Sequence, residues 1–543
     1  MERLVRGLNR LCWVLMGQES DLHTPAATLW LFWSVAVVLA ALLGFAAVLV
    51  SAESSLTGRP VFDLLLLAAL ANFLFYIFVR TFPGWTVQLH VKLIGVMILL
   101  QVVGMCCLRM DGLYGNGRPK FVWRWAADRE FAADSAQLFE FDPHEKGVWA
   151  GFRGSDRSGA IEGIELESWE RFPPALVWEK QVGRGWSSFS VADTVCFTQE
   201  QRGDFEAIVC YDLATGRQQW EHLDKARFYD VTSGTGPRAT PTIDGELVFS
   251  FGATGLLNCL VARNGDSVWA RDVLKENGIE NCNFGMVGSP LVTDGMVVVA
   301  PGGKNCSLIA YDRENGSQKW ASGSEAASYS SPQAAVVCGT ASVLCFNGDG
   351  LACHRLDDGK QLFQVPWISN AAEKNNVCQP IVVSDIGLET QIFISSGYGR
   401  GAALLRVSQQ DDQYSVAVTW KNKLLKSKFS SVVTHNGYVY GLDNGILTCL
   451  SLTDGARMWK AGRYGHGQLI RVGSELIVIS EKGFVAKVAC DPNQFRELAR
   501  LQALDDRTWN HPAFDGNYLL VRNDRSALCF RLAVSAPASV SVQ

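Results

Sequence analysis

CYDLATGRQQW, residues 210–220, decides the fold. Threonine before glycine at 215–216 suits the positive φ of a tight turn, and apolar residues alternate with polar ones on both sides. That pattern belongs to a β-hairpin and not to a helix. The same arrangement returns in CLVARNGDSVW (259–269), AYDRENGSQKW (310–320), CHRLDDGKQLF (353–363) and CLSLTDGARMW (449–459). In each, a small residue stands six positions before a glycine and an aromatic stands four after it: Gly216 with Trp220, Gly265 with Trp269, Gly316 with Trp320, Gly359 with Phe363, Gly455 with Trp459.

Two further strand-like stretches separate these hairpins, as at 242–251, 290–299 and 432–442, often split by Asp-Gly or Asn-Gly at Asp244, Asp294 and Asn436. Each repeat thus holds four strands in about 40 to 55 residues, the size of one propeller blade. One such sheet cannot bury both its faces alone, so the repeats must stack radially, each large aromatic filling the gap to a neighbour. Inner strands start at Ser187, Arg238, Gly288, Ser330, Cys378, Ser430, Gly467 and Asn510, which predicts an all-β, eight-bladed β-propeller. One outer strand, 177–183 with Trp178, precedes the first blade, whereas the strands from 511 to 532 end without one. Trp178's strand is therefore expected to close the last blade and remove an exposed sheet edge.

Lys and Arg number 49 against 54 Asp and Glu, a net charge of -5, and no basic run is long enough for a nucleic-acid patch. Nucleic acid is excluded as a partner. The apolar share is 48%, concentrated in residues 28–108. Residues 28–50 are 23 positions without a charge, enough at 1.5 Å per residue to cross a ~30 Å hydrocarbon core. The runs 62–79 and 91–108 are 18 residues each, with Asp63 and Lys92 near their ends, where a charge can reach the interface. An N-terminal α-helical membrane anchor of three transmembrane helices is expected. The first run follows a 27-residue lead and is too long for a signal peptide. The predicted organisation is a basic segment 1–27, an anchor 28–110, a lead-in 111–173, a propeller 174–532 and a tail 533–543.

The repeat ending D-x-x-T-G-x-x-x-W resembles the pyrroloquinoline-quinone-type tryptophan-docking propeller repeat, over residues 174–532. Together, WAGFRGSDRSG (149–159), GWSSF (185–189), TQEQRG (198–203), YSSP (329–332), RYGHGQ (463–468) and WNHP (509–512) resemble a bacterial membrane protein family of this propeller type. That superfamily holds quinoprotein alcohol and glucose dehydrogenases and also a non-enzymatic factor of the outer-membrane-protein insertion machinery, so the resemblance implies a fold without choosing a function. It implies a bacterial inner membrane. Arg3, Arg6, Arg10, Arg80 and Lys92 favour a cytoplasmic N-terminus, while Arg109, Arg118, Lys120 and Arg124 favour the reverse. Long domains translocate largely regardless of flanking charge, so the propeller is expected on the outer, periplasmic side.

Fifteen cysteines would ordinarily suggest disulfides or zinc. Here Cys210, Cys259, Cys353 and Cys449 share one repeat position, where the third repeat has Ala310, so they read as small buried apolar residues. Equivalent positions on different blades should lie beyond the ~7 Å limit for a bridge, and the chain has no CxxC pair. Twelve unpaired cysteines in the propeller weigh against an oxidising compartment. Cys106 and Cys107 are adjacent but fall in the third apolar run, so they cannot serve as the vicinal pair that the resemblance associates with a quinone cofactor.

Loops leading into the inner strands ring one mouth of a propeller's channel, the default place for a ligand. The candidate site there is Trp186, Arg238, Tyr329, His466, Gln468, Trp509, Asn510 and His511, with Ser188, Thr240, Ser289, Ser331, Gln379, Phe429 and Ser431 completing the ring. The ring has hydroxyls, amides, one arginine and two histidines but no carboxylate. A quinone held with Ca²⁺ needs hard oxygen ligands, and a quinoprotein dehydrogenase needs a general base. Glu200, Arg202, Lys304, Asp349, Arg400 and Glu481 sit further out and read as solvated hairpin tips. Arg238, His466, Asn510 and His511 are expected to serve binding and not folding, with a pH dependence near the imidazole value of ~6.5. The function read from this is a non-catalytic binding or assembly scaffold for a protein, peptide or envelope component, with no cofactor and no metal; the alternative is a membrane-bound pyrroloquinoline-quinone dehydrogenase with calcium.

Overall fold

The computed structural model describes residues 95–97, 99, 103, 107–125, 149–371 and 374–536. The three apolar runs lie outside the described residues except for positions 95–97, 99, 103 and 107 of the third, which are helical, and Leu108, which begins a strand. No helix among the described residues is long and apolar enough to cross a membrane. The chain divides into two compact units, Met1–Met110 with Phe121–Ala126, and Asp111–Lys120 with Ala127–Gln543. In the first, Trp123 and Trp125 stack at 5.5 Å and are exposed. The second is the propeller.

The Thr-Gly turn at 215–216 joins the strands Phe205–Asp212 and Gln218–Asp224. Asp212 accepts hydrogen bonds from the Thr215 amide at 2.7 Å and, through its carbonyl, from the Gly216 amide at 2.8 Å. Gly216 is held at φ 70°, and any Cβ there would sit 2.7 Å from the Trp178 ring. Glycine is thus required twice over, by conformation and by an indole lying against it. With Ser190–Ala192 and Val195–Arg202 these strands form blade 1. Six more blades are built from consecutive strands, their inner strands being Thr242–Asp244, Leu291–Thr293, Gln333–Val337, Ile381–Ile386, Val433–His435 and Gln468–Val472. In blade 8, Ala513–Asp515, Tyr518–Arg522 and Ser526–Arg531 are completed by Ala175–Gln181, with Trp178 opposite Cys529. The expected eight blades and their closing strand are present.

Indoles hold the ring together. Trp178 of blade 8 donates to the Leu213 carbonyl of blade 1 at 2.8 Å, and Trp220, Trp269 and Trp320 do the same to Ala262, Arg313 and Leu356 of the following blades at 2.9 to 3.0 Å. Each lies on the turn glycine of that next blade. Blade 4 departs from the rule. Phe363 has no ring N–H, and it packs instead 6.3 Å from Tyr414 of blade 5, whose outer strands Gly401–Gln410 and Gln413–Asn422 run to ten residues.

Every described cysteine is a free thiol. Cys210, Cys259, Cys353 and Cys449 stand directly across from Trp220, Trp269, Phe363 and Trp459, each followed by a bulge, and all four are fully buried. Burial pushes the Cys259, Cys353 and Cys449 thiols up to about 12, so they stay protonated and unreactive. Replacing all four with Ala, the residue already at 310, is expected to leave the fold intact, and reductant should not lower the melting temperature of the wild-type chain. A reductant-dependent loss of several degrees would reveal a disulfide.

Residues 149–161 fill the middle of the ring. Trp149 and Ala150 carbonyls accept from the Val191 and Ile243 amides of blades 1 and 2 at 2.9 and 2.8 Å, and the Gly159 carbonyl accepts from Arg471 of blade 7 at 2.9 Å. Two arginines do the rest. Arg157 donates to the Ser289 and Pro290 carbonyls beside blade 3 and to Pro332 beside blade 4, the last at 2.6 Å. Arg153 donates to the Val432 carbonyl beside blade 6 at 2.7 Å and to His511 beside blade 8 at 3.2 Å. Both arginines have left-handed backbones, φ 64° and 60°, and both are buried. Their partners are carbonyls and an imidazole, and burial lowers their guanidinium pKa to about 10 and about 9. This stretch lies in the lead-in 111–173, outside the blade repeat.

Candidate functional site

Just above this central plug, the residues that lead into the inner strands stitch one blade to the next. The Ser188 amide donates to the Thr240 hydroxyl at 3.1 Å, Thr240 to Ser289 at 2.9 Å, Ser289 to Ser331 at 2.9 Å, and Gln379 to Ser431 at 3.0 Å. Each hydroxyl satisfies a backbone N–H that the sheet ladder leaves unpaired at the start of a strand. The hydroxyl ring is therefore a seam between blades.

A hairpin tip covers the mouth. The strands Leu108–Leu113 and Pro119–Trp123 pair with each other, and the tip between them, Asp111–Lys120, belongs to the propeller unit. Its Leu113 amide donates to the Thr232 carbonyl at 2.7 Å, and Arg507 donates to the Leu113 carbonyl at 2.7 Å. Asp111 pairs with Arg184 at 2.5 Å, while Lys120 and Tyr114 reach Asp506 at 2.5 and 3.1 Å. Between this roof and Phe152 of the plug lies a chamber of about 390 Å³. Aromatic rings of Trp186, Phe284, Tyr329, Tyr398, Phe429 and Trp509 dominate its wall, and Arg238 and Lys428 supply the cations.

Of the eight candidate residues, Trp186, Arg238, Tyr329, Gln468, Trp509 and His511 line this chamber, and His466 and Asn510 do not. Trp186 and Trp509 face each other at 5.0 Å, with the Arg507 guanidinium 4.7 Å from each ring. Arg238 is buried and turned onto its own loop, donating to the carbonyls of Gly234 and Gly236 and to Ser233, over the Phe228 ring. Tyr329 takes the Asn376 carbonyl on its amide at 3.1 Å. Gln468 ties the Phe429 and Trp509 carbonyls together at 2.9 Å each. Asn510 donates to Gly185 and Ser187 of blade 1 behind the ring. His466 lies under the roof, its ring tilted against Phe429 with centroids 5.4 Å apart.

His511 corrects the expectation of a titrating mouth. It is 5% exposed, and burial next to the Arg153 cation pushes its imidazole down to about 3. With Arg153 donating to Nε2, the proton sits on Nδ1, which donates to the Pro512 carbonyl at 2.8 Å. His511 is thus neutral near pH 6.5 and anchors the plug. The outer carboxylates also depart from the solvated reading. Glu200 is fully buried and accepts from Tyr211, the Gly183 amide and Arg202. Glu481 is 9% exposed and accepts from the Gly115 amide and Trp509. Arg507 and Lys428 escaped the sequence reading. Both stand one or two residues before the aromatic that leads into an inner strand, Trp509 ahead of Ala513–Asp515 or Phe429 ahead of Val433–His435, and that position is the signal to look for.

A family model described as outer membrane protein assembly factor BamB matches residues 176–461. The chain belongs to this family. Among solved structures, BamB from Moraxella catarrhalis is 15% identical, with 66% of this chain and 97% of that one covered and a TM-score of 0.47. Quinohemoprotein alcohol dehydrogenase from Comamonas testosteroni is 12% identical over 72% of this chain and 81% of that one, with a TM-score of 0.53. Quinohemoprotein alcohol dehydrogenase ADHIIG from Pseudomonas putida HK5 is 13% identical over 73% and 82%, with a TM-score of 0.52. At such identities the likeness is one of fold. No curated protein matches the chain.

The chamber residues do not fit a calcium-held quinone. Neither a carboxylate nor a cysteine lines the chamber, and among the described residues no three His, Cys, Asp or Glu side chains cluster as metal ligands. Hard cations need anionic oxygen ligands, and the lining offers hydroxyls and carbonyls beside two cations.

A buried acid lies close behind the wall. Glu206 accepts from the Ala253 amide at 3.2 Å, its second oxygen has no partner among the described residues, and burial raises its pKa to about 7. Its folded pKa exceeds the unfolded value of 4.5, so the stability it contributes is complete below pH 4.5 and is lost as pH rises through 7. Glu206→Gln should therefore raise thermal stability at pH 8, by about 3 kcal/mol at 1.36 kcal/mol per pKa unit, and change little at pH 4.5. Melting curves at the two pH values check this, and equal shifts at both would sink it.

Proposed function

We propose that this chain is a membrane-anchored propeller that binds a protein or envelope component and does not turn over a small substrate. The observation that carries the reading is the mouth itself, where the chamber has no carboxylate to act as base and its roof is a segment of the same chain. Membership of an assembly-factor family supports it. An anchor of three spans in a bacterial inner membrane fits the helical positions Val96, Leu99 and Val103, whose side chains are exposed and apolar, and the exposed Trp123 and Trp125, a residue type favoured at a lipid interface. We place the propeller on the periplasmic side, where burial keeps the thiols of Cys210, Cys259, Cys353 and Cys449 out of reach of an oxidising compartment, and protease treatment of spheroplasts should remove it.

The test of function has two arms. Full-length protein purified from membranes and supplied with pyrroloquinoline quinone and Ca²⁺ is expected to show no dye-linked oxidation of alcohols or sugars. Quinone-dependent turnover would overturn the reading in favour of a dehydrogenase. In cells, a photo-reactive residue replacing Asn116, exposed on the roof, is expected to give a discrete protein adduct.

A further inference from the structure

The roof is held at one residue from three sides. The Gly115 amide donates to Glu481 Oε1 at 2.5 Å, and the Gly115 carbonyl accepts from Lys428 Nζ at 2.8 Å. A Cβ on Gly115 would fall 2.3 Å from the His466 ring, and Gly115 φ is not left-handed, so the requirement for glycine comes from the space and not from the backbone. His466 is itself fixed, its amide on Glu481 at 3.2 Å and its ring on Phe429. Lys428 makes no ion pair among the described residues and lies over the Tyr398 and Phe429 rings at 5.2 and 4.8 Å. An acceptor, a donor and an imidazole wall thus meet around one residue, a combination that reads backbone and excludes a side chain.

We propose that the channel mouth is a glycine-reading peptide-turn site, filled in cis by residues 113–117 and able to take a glycine turn of a partner protein when the cis tip leaves. This rests on the binding function proposed above and names its ligand class. Glu481 and Lys428 would satisfy the N–H and C=O of the partner's turn glycine, His466 would select for glycine, and the aromatic chamber would take the neighbouring apolar side chain, as it takes Leu113. The cis tip is a tethered competitor. Its high effective concentration keeps the mouth closed to weak binders and open to those that outcompete it.

A labelled head-to-tail cyclic peptide of residues 111–120 serves as the probe, with the full-length chain in detergent. Wild-type chain should capture it weakly. The Gly115→Leu chain, its own tip expelled by His466, should bind the peptide at least tenfold more tightly and show raised deuterium uptake over residues 111–120. A peptide carrying Leu at its own position 115 should not bind, and Glu481→Gln with Lys428→Met in the Gly115→Leu chain should abolish capture. A Gly115→Leu chain that releases its tip yet binds no peptide overturns the inference, as does equal binding of the two peptides. Should Gly115→Leu not fold, the Glu481→Gln, Lys428→Met chain must show raised deuterium uptake at its tip, and unchanged protection there also overturns it. Quinone turnover is a separate readout, so failure of this site and failure of the binding function are distinguishable.

Discussion

Arg157→Ala should destabilise the propeller by about 3 kcal/mol or more, with the fold opening at its centre before its blades melt. The side chain is 3% exposed and carries the bonds to the Ser289, Pro290 and Pro332 carbonyls, so it joins the plug to blades 3 and 4. Truncation would leave the buried Ser289 and Pro332 carbonyls unsatisfied at ~1–3 kcal/mol each, while Pro290 keeps the Thr242 hydroxyl, and would open a cavity in their midst. Arg157→Lys should recover only part of the loss, because an ammonium cannot present the planar fork that reaches carbonyls on two blades. Chemical denaturation of the full-length protein followed by tryptophan fluorescence measures this. A midpoint unchanged by Arg157→Ala would mean that residues 149–161 merely occupy the channel.

Ring closure gives the second large effect. Trp178→Ala is expected to cost ~3–5 kcal/mol, the range for a buried large aromatic, and deletion of 177–183 should yield an aggregating protein with an open blade edge. Trp178 packs on Gly216, donates to Leu213 and pairs across from Cys529, so one residue ends blade 8 and docks it on blade 1. Arg522 of blade 8 spans the same seam, donating to Thr198, Gln199 and Gly183. Removal of 537–543 is the control and should change neither melting nor solubility. A 177–183 deletion that stays monomeric and melts like wild type would show that the indole and Arg522 seam does not depend on that strand.

The repeat made the ring legible because each blade is written locally: a turn glycine, a small residue six before it and an aromatic four after it fix a hairpin whatever the rest of the chain does. From that followed the blade count, the closing strand and the buried, unpaired cysteines. Six of the eight candidate residues gather around one chamber for the same reason, since the start of an inner strand is always at the mouth. Their roles were not legible. Arg238 turns back onto backbone carbonyls of its own loop, which residue type does not encode, and whether His511 meets water or Arg153 depends on a side chain 358 positions away.

Local periodicity in this sequence therefore determined the blades and their order, and only the tertiary structure decided what fills the hole they surround. Residues 111–120 and 149–161 lie outside the blade repeat, and only Ala160–Ile161 adds a short parallel strand, to the inner edge of blade 7; each segment is ordered by polar bonds to several blades at once. Many of these bonds, those of Arg157, Lys428 and Arg507 among them, end on a backbone carbonyl, a group that every residue carries, so they leave no trace in residue type at the receiving end. Burial of Arg153, Arg157, Glu200 and Glu481 has the same origin: a charged side chain reads as solvated until the ring closes and supplies its partners.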